Sequence, residues 1–190
     1  MPPSPPKNNL LITGEPACGK TTLIQSILSN LTCPNKAGFF TQEIRRQGKR
    51  LGFQTVGLSG NKALLAHVLI STDKRIGRYG VDIPSFEAFL EKERYDANQN
   101  SDLFVIDEIG KMECFSEVFI TRTIQMLDSC KPVLGSISLG GHSFISKVRR
   151  RKDVQLIGLS TSNRQNLTTG LLKRVQLLIS DIPLRSVANH

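Results

Sequence analysis

The spacing of apolar residues changes several times along the chain, and each change marks an element. Asn9-Leu10-Leu11-Ile12-Thr13 is a short, almost unbroken apolar run, the pattern of a strand covered on both faces. From Lys20 to Asn30 the spacing becomes helical, with Leu23, Ile27 and, just beyond, Leu31 on one face. Gly38–Ile44 and Leu51–Leu58 read as strands, with Gln47-Gly48 as the tight turn of a β-hairpin between them. Asn61–Ile70 reads as a short helix and Ser71–Arg75 as a loop. Pro84–Tyr95 fits a helix with proline in its first turn and Phe86, Phe89 and Leu90 on one side. Ala97–Ser101 is a polar connection. Leu103-Phe104-Val105-Ile106 is a second continuous apolar run, ending in Asp107-Glu108. Helix 115–128, strand 132–137, helix 143–150, strand 154–159 and a helix over about 165–179 follow. Such alternation predicts an α/β fold with a mostly parallel central sheet, helices on both faces and an antiparallel hairpin near one edge. Residues 8–190 read as one domain behind a proline-rich leader, residues 1–7.

The segment between the first strand and the first helix carries chemistry. Gly14-Glu15-Pro16-Ala17-Cys18-Gly19-Lys20-Thr21 satisfies the phosphate-loop pattern G-x-x-x-x-G-K-[ST] at each fixed position. Its glycines let the backbone curl so that successive N–H groups point at phosphate oxygens. Lys20 brings a point charge to the β and γ phosphates, the Thr21 hydroxyl is a ligand for Mg²⁺, and the helix behind directs its positive end at the same anion. Alanine at position 17 costs the loop little if its φ is negative.

Composition adds bounds rather than a function. Hydrophobic residues make up 39% and charged residues 22%, ordinary globular usage. No apolar run approaches the roughly 20 residues that span a bilayer, so no membrane role is expected. Cys18, Cys33, Cys114 and Cys130 form no C-x-x-C pair and no metal-ligand spacing, which reads as free thiols in the cytoplasm. The net charge of +9 gathers in Arg45–Arg50 and Lys147–Lys152. Both clusters read as solvated faces, with a weak nucleic-acid contact as the other reading. No zinc-finger spacing or RNA-recognition aromatic motif accompanies them.

Asp107 and Glu108 end a strand expected beside the loop strand. Asp107 is the acidic partner for Mg²⁺, through a bound water, and Glu108 can take a proton from an attacking water. Lys111 and Arg45 are candidates for the cation that neutralises charge on the departing phosphate, and Ser136 or Ser138 for a γ-phosphate sensor. The Asn/Thr-Lys-x-Asp pattern of guanine-specific proteins is missing, so several bases should be accepted.

Gly14–Thr21, Gly38–Arg45, Arg50–Phe53, Arg78–Asp82, Val105–Glu113 and Asn163-Arg164 occur in an order that resembles the THEP-type nucleoside-triphosphatase family. The stretch Asp107-Glu-Ile-Gly-Lys-Met-Glu113 is the most specific part of the resemblance. It implies a RecA-like, single-domain, Mg²⁺-dependent enzyme that hydrolyses several nucleoside triphosphates to diphosphate and phosphate. Gly14 through Thr21, with Thr22, would form one nucleotide segment. Leu103, Phe104, Val105, Ile106, Asp107, Glu108, Ile109 and Gly110 would form the second. Arg164 would lie near the base or ribose. The catalytic set is then Glu108, Lys20 and Lys111, and the metal set Thr21 and Asp107; separately from the resemblance, a monomer is expected. A phosphotransferase and a nucleotide-switched RNA-associated protein remain as alternatives.

Overall fold

The computed structural model describes residues 8–32, 35–95, 100–160 and 162–181. The leader at 1–7, Cys33 and residues 97–99 of the polar connection lie outside the described residues. The elements are β1 (Asn9–Thr13), α1 (Lys20–Asn30), β2 (Lys36–Arg46), β3 (Lys49–Gly57), β4 (Lys62–His67), β5 (Arg75–Ile76) and β6 (Tyr79–Val81). There follow α2 (Ile83–Lys92), β7 (Leu103–Ile109), a 3₁₀ turn (Glu113–Phe115), α3 (Glu117–Asp128), β8 (Val133–Ile137), α4 (Ser143–Arg149), β9 (Val154–Gly158) and α5 (Arg164–Ser180).

Among the described residues, all nine strands join one sheet in the order β5-β6-β4-β3-β2-β7-β8-β1-β9. β2, β7, β8, β1 and β9 are parallel. The other pairs are antiparallel. The hairpin thus joins one edge of the parallel set, as expected, but β4, β6 and β5 prolong it into an extension. Its turn has φ of 50° at Gln47 and 76° at Gly48, the left-handed pair that a two-residue hairpin loop needs.

Alternation along the strands explains why the central runs are apolar throughout. Leu10, Ile12, Leu103 and Val105 pack with Leu23, Ile24 and Ile27 of α1 and Leu171 and Val175 of α5. Leu11, Phe104 and Ile106 turn to the other face and meet Phe86 of α2, Phe119 of α3 and Ile145 of α4. On this second face the Phe39 ring meets Phe86, Phe89 and Tyr95 edge-on at centroid distances of 5.8, 5.8 and 5.4 Å. Such contacts are worth about 0.5–1.5 kcal/mol each beyond burial.

Three expectations are corrected. Residues 61–70 hold strand β4 rather than a helix, because pairing to β3 and β6 with Leu65 and Ala66 fully buried overrides the helical preference of Lys-Ala-Leu-Leu-Ala. Helix 115–128 starts later: Ser116 accepts a bond from the Phe119 amide at 3.1 Å and caps α3, and the residues before it form the 3₁₀ turn. Finally, β7 is not beside β1. The β7–α3–β8 crossover sets β8 next to β7, and β1 pairs with the far side of β8.

The parallel strands end on one edge of the sheet, where ligands of such folds bind. Phe40 of β2 lies opposite Asp107 of β7. β2 therefore continues through Thr41–Arg46 beyond that point, and the β2–β3 hairpin stands as a wall beside the edge.

Candidate active site

The first nucleotide segment has the geometry of an anion cradle. At Gly14 a Cβ would fall 2.5 Å from the Leu159 carbonyl oxygen and 2.9 Å from Cys18 Sγ, so no larger residue fits. Gly19 has φ of 98° and precedes α1, whose first turn has no acidic residue and no side-chain cap. The free amides there are available to phosphate. Lys20 Nζ folds back onto the Gly14 and Glu15 carbonyl oxygens, at 3.0 and 3.2 Å. Ala17 departs from the favourable case, because its φ is 61°, left-handed, where alanine is strained by about 1–2 kcal/mol.

Across the cleft stand three carboxyl groups. Asp107, 3% exposed, accepts a bond from the Ser136 hydroxyl on Oδ1 and has no partner on Oδ2. Burial pushes its pKa up to about 6, against the pull of Ser136, of the nearby Thr21 hydroxyl and of Lys20. Glu108 Oε1 accepts from Ser138 Oγ at 2.8 Å. The two serines considered as γ-phosphate sensors, Ser136 and Ser138, thus spend their hydroxyl protons on the two acids. The third acid, Glu113, is 2% exposed and accepts a bond from Thr41 Oγ1 at 2.8 Å. Burial, reinforced by the charges of Glu108 and Asp107, raises its pKa to about 8, so it is chiefly protonated at neutral pH. Sequence reasoning assigned Glu113 no role. The available signal was Gly110: a Cβ there would lie 2.6 Å from Glu113 Oε2 and 2.8 Å from Glu108 Oε1, so this glycine lets the chain fold the acids together.

Pro16, Ala17, Gly19, Lys20, Thr21 and Thr22 line one cleft of about 750 Å³ together with Asp107, Glu108 and Lys111. Lys111 packs on Gly141, which leaves it room with a φ of 104°. Leu103–Ile106 and Ile109 do not line the cleft. They are core residues with at most 1% exposure, and their part is to carry Asp107 and Glu108. The Arg164 guanidinium lies over Gly19, where a Cβ would come 3.0 Å from Nη1. Asn163 stands at the start of α5 but makes no cap bond; it closes the turn by accepting from the Ser160 amide at 2.9 Å and donating to the Gly158 carbonyl at 3.0 Å.

Part of the basic charge is tied to neighbours in the fold, while Arg45, Arg46, Lys49, Lys147, Arg150 and Lys152 are exposed, as a solvated face requires. Arg149 donates to Thr13 Oγ1 at 2.8 Å and ties the ends of β1 and β8 together, while Arg151 pairs with Asp128 and Asp153, each at 2.6 Å. Arg45 and Arg50 both pair with Glu43 on the wall of the cleft.

The residues present suit a hard divalent cation. The Thr21 hydroxyl and the unpartnered Asp107 oxygen are oxygen donors beside the phosphate cradle, the donor set such a cation prefers. Among the described residues no three His, Cys, Asp or Glu side chains gather as a metal cage, and no helix is long and apolar enough to cross a membrane.

Fold and site together define a phosphate-loop nucleotide-binding protein of the α/β type. The family model described as NTPase matches residues 9–172, and the chain belongs to that family. It is 37% identical over 163 residues to the nucleoside-triphosphatase THEP1 of Thermotoga sp. (strain RQ2), across 86% of this chain and 92% of that protein. It is 34% identical over 184 residues to the cancer-related nucleoside-triphosphatase of Homo sapiens, across 88% of this chain and 96% of that protein. The crystal structure of THEP1 from the hyperthermophile Aquifex aeolicus matches with a TM-score of 0.78 at 32% identity, covering 88% of this chain and 99% of that one.

Proposed function

We propose that the protein is a nucleoside-triphosphate hydrolase that cleaves the β–γ bond of ATP, GTP and related triphosphates to diphosphate and phosphate. The observation that carries this reading is the meeting of two half-sites in one cleft: Lys20 and Thr21 on the loop face Asp107 and Glu108 at the end of β7. Relatives named nucleoside-triphosphatases over nearly their whole length support it.

The loop amides and the α1 N-terminus hold the triphosphate tail. Lys20 exchanges its two carbonyl partners for phosphate oxygens, a change that leaves no buried donor unpaired. Glu108, fixed through Oε1 by Ser138, has Oε2 to accept the proton of the attacking water. Lys111 supplies positive charge at the departing phosphate. Mg²⁺ would be held by the Thr21 hydroxyl and, through water, by Asp107, and would supply neutralisation of charge on the β and γ phosphates. Arg164, which lies against the loop, would bind the base or ribose side, and with no guanine-reading motif several bases are accepted. Cys18, Cys114 and Cys130 are free thiols, which fits a cytoplasmic protein.

The test is phosphate release from ATP, GTP, CTP and UTP with Mg²⁺. Lys20→Ala should abolish it together with nucleotide binding. Glu108→Gln should retain binding and lower kcat by about 10²–10⁴-fold, the usual worth of a general base. Turnover that survives both changes refutes the assignment.

A further inference from the structure

We infer that the hairpin side of the cleft is a subsite for a second molecule, a small hydroxyl compound bearing a phosphate monoester, whose hydroxyl can replace water as acceptor of the γ-phosphoryl group. This rests on the hydrolase reading and adds a second substrate to it.

The topology sets the direction. β1 and β9 lie on one side of β8, and β7, β2 and the extension on the other. Arg164, at the start of α5, covers Gly19 of the loop. The strand order puts the end of β7, with Glu108, between the loop after β1 and the β2–β3 hairpin, and the same cleft is lined there by Gln42, Glu43, Arg45, Arg50 and Phe53 of the hairpin and Ile76 of β5. The general base thus stands between the phosphate loop and this wall, where an acceptor must approach for in-line attack.

The wall is built to hold an anion. Register puts Glu43 opposite Phe53 and Arg45 opposite Arg50, so each pair shares a face of the hairpin. Both guanidiniums share one carboxylate: Arg45 Nε and Nη2 donate to Glu43 Oε2 at 2.7 and 2.6 Å, and Arg50 Nη1 donates to Oε1 at 2.5 Å. Burial opposes ionisation of Glu43, but the bonds from Arg50 and Arg45 hold it below its ordinary pKa, so the trio carries one net positive charge. Exposed pairs of this kind contribute little to stability, and their concentration here needs another reason.

The two cations are also held in place. Arg50 Nε donates to the Tyr79 hydroxyl at 3.1 Å, and its guanidinium carbon lies 5.3 Å from the Phe53 ring centre and 5.7 Å from that of Tyr79. Arg45 Nη1 donates to the Gly48 carbonyl at 3.1 Å. Rigid guanidiniums lose little entropy on taking an oxyanion, which would bridge or displace their bonds to Glu43. Phe53 and Ile76 offer the body of such a ligand an apolar surface beside them. In the hydrolase reading the triphosphate tail takes the loop amides, Lys20 and Lys111, and Arg45 and Arg50 have no part in holding it.

The step balances without any redox partner. The acceptor O–H bond breaks and its proton passes to Glu108; a bond forms from that oxygen to the γ-phosphorus. The bond from the γ-phosphorus to the β,γ-bridging oxygen breaks, and its electron pair leaves on the nucleoside diphosphate.

The experiment uses the full chain with Mg²⁺ and a non-hydrolysable triphosphate filling the loop, titrated with glycerol 3-phosphate, ribose 5-phosphate and AMP, and with glycerol, ribose and adenosine. At least one phosphate ester should bind, and its parent about 10-fold more weakly or worse, as expected for loss of a charge-assisted contact. Arg45→Gln should weaken that binding about 10-fold, while Glu43→Gln, which frees both guanidiniums, should tighten it; a misfolded variant cannot gain affinity. With ATP in place of the analogue, ³¹P NMR should show the bound ester converted to a doubly phosphorylated product. The inference is overturned if no ester binds, if the parents bind equally well, if Glu43→Gln fails to tighten binding, or if an ester binds and is never phosphorylated. Absence of ATP hydrolysis without any ester would instead overturn the hydrolase reading.

Discussion

Replacing Glu113 by Gln should stabilise the protein in a pH-dependent way, because the wild-type carboxyl must stay protonated where the unfolded chain would ionise it. The folded pKa is raised from 4.5 to about 8, chiefly by burial. A raised carboxyl means that the folded state binds the proton more tightly. Stability is therefore unaffected below about pH 4.5, falls as pH rises towards 8, and levels off above it. Each pH unit in that window costs about 1.4 kcal/mol, so at pH 7 the cost is about 3 kcal/mol. Glutamine stays neutral, keeps an oxygen to accept the Thr41 bond, and carries no such cost. For a chain of this size about 3 kcal/mol corresponds to a rise in Tm of about 6–12 °C.

The assay is thermal unfolding of both proteins without nucleotide, from pH 4.5 to 8.5. The curves of Tm against pH should coincide near pH 4.5 and diverge up to pH 8, with Glu113→Gln the higher. Asp107, whose pKa is also raised, adds its own loss between pH 3.8 and 6, but equally in both proteins. A Tm difference that stays constant across the range would falsify the placing of a protonated carboxyl in this site. Glu113→Ala serves as a control: it removes the charge as well but leaves Thr41 unpaired and a cavity, so it should lie below Glu113→Gln at every pH.

Three further outcomes follow from the site. Ala17→Gly relieves a left-handed alanine at φ 61° and should raise stability by about 1 kcal/mol, read from denaturant midpoints; a loss of stability would mean that the loop does not hold this conformation in solution. Ser138→Ala frees Glu108 Oε1 and should lower kcat about fivefold, the worth of one hydrogen bond, with KM unchanged; a change confined to KM would place Ser138 in binding instead. Gly141→Ala puts a methyl group where Lys111 packs, at a φ of 104°, and should cut kcat about as far as Lys111→Ala does; full activity would remove Lys111 from the reaction.

How far each feature could be read from sequence depended on the distance over which its cause acts. The phosphate loop is legible because eight contiguous residues contain the whole device, with backbone amides, one lysine and one hydroxyl held by two glycines. Asp107-Glu108 is legible for a similar reason, as an acidic end to a run that is otherwise buried on both faces. In β4, Lys-Ala-Leu-Leu-Ala prefers helix on its own, and pairing with the strands on either side overrides that preference. Ala17 was uncertain because the sign of its φ is a property of the closed loop and not of the residue. The basic stretch Arg45–Arg50 is solvated charge, as its sign suggests, but nothing local shows that Glu43 pairs with two of its arginines or that Phe53 and Tyr79 brace Arg50.

Glu113 shows the same limit within the active site. A glutamate five residues past an acidic strand end, beyond a glycine and a lysine, resembles any surface turn. Its character comes from Thr41, 72 residues earlier in the chain, and from Gly110, whose missing side chain admits two carboxyl groups to one space. Three acids this close cannot all ionise cheaply. The structure separates them by environment: Glu113 is buried against a hydroxyl and keeps its proton, and Asp107 sits next to Thr21 and Lys20 with one oxygen unpartnered. Glu108 is held by Ser138 at the cleft. A neutral Glu113 also ties the hairpin to the strand that carries the catalytic acids, because its Thr41 bond crosses from β2 to the turn after β7. The wall that bears Arg45 and Arg50 is thereby fixed relative to Glu108, and a second substrate bound on the hairpin would meet its base in a set position.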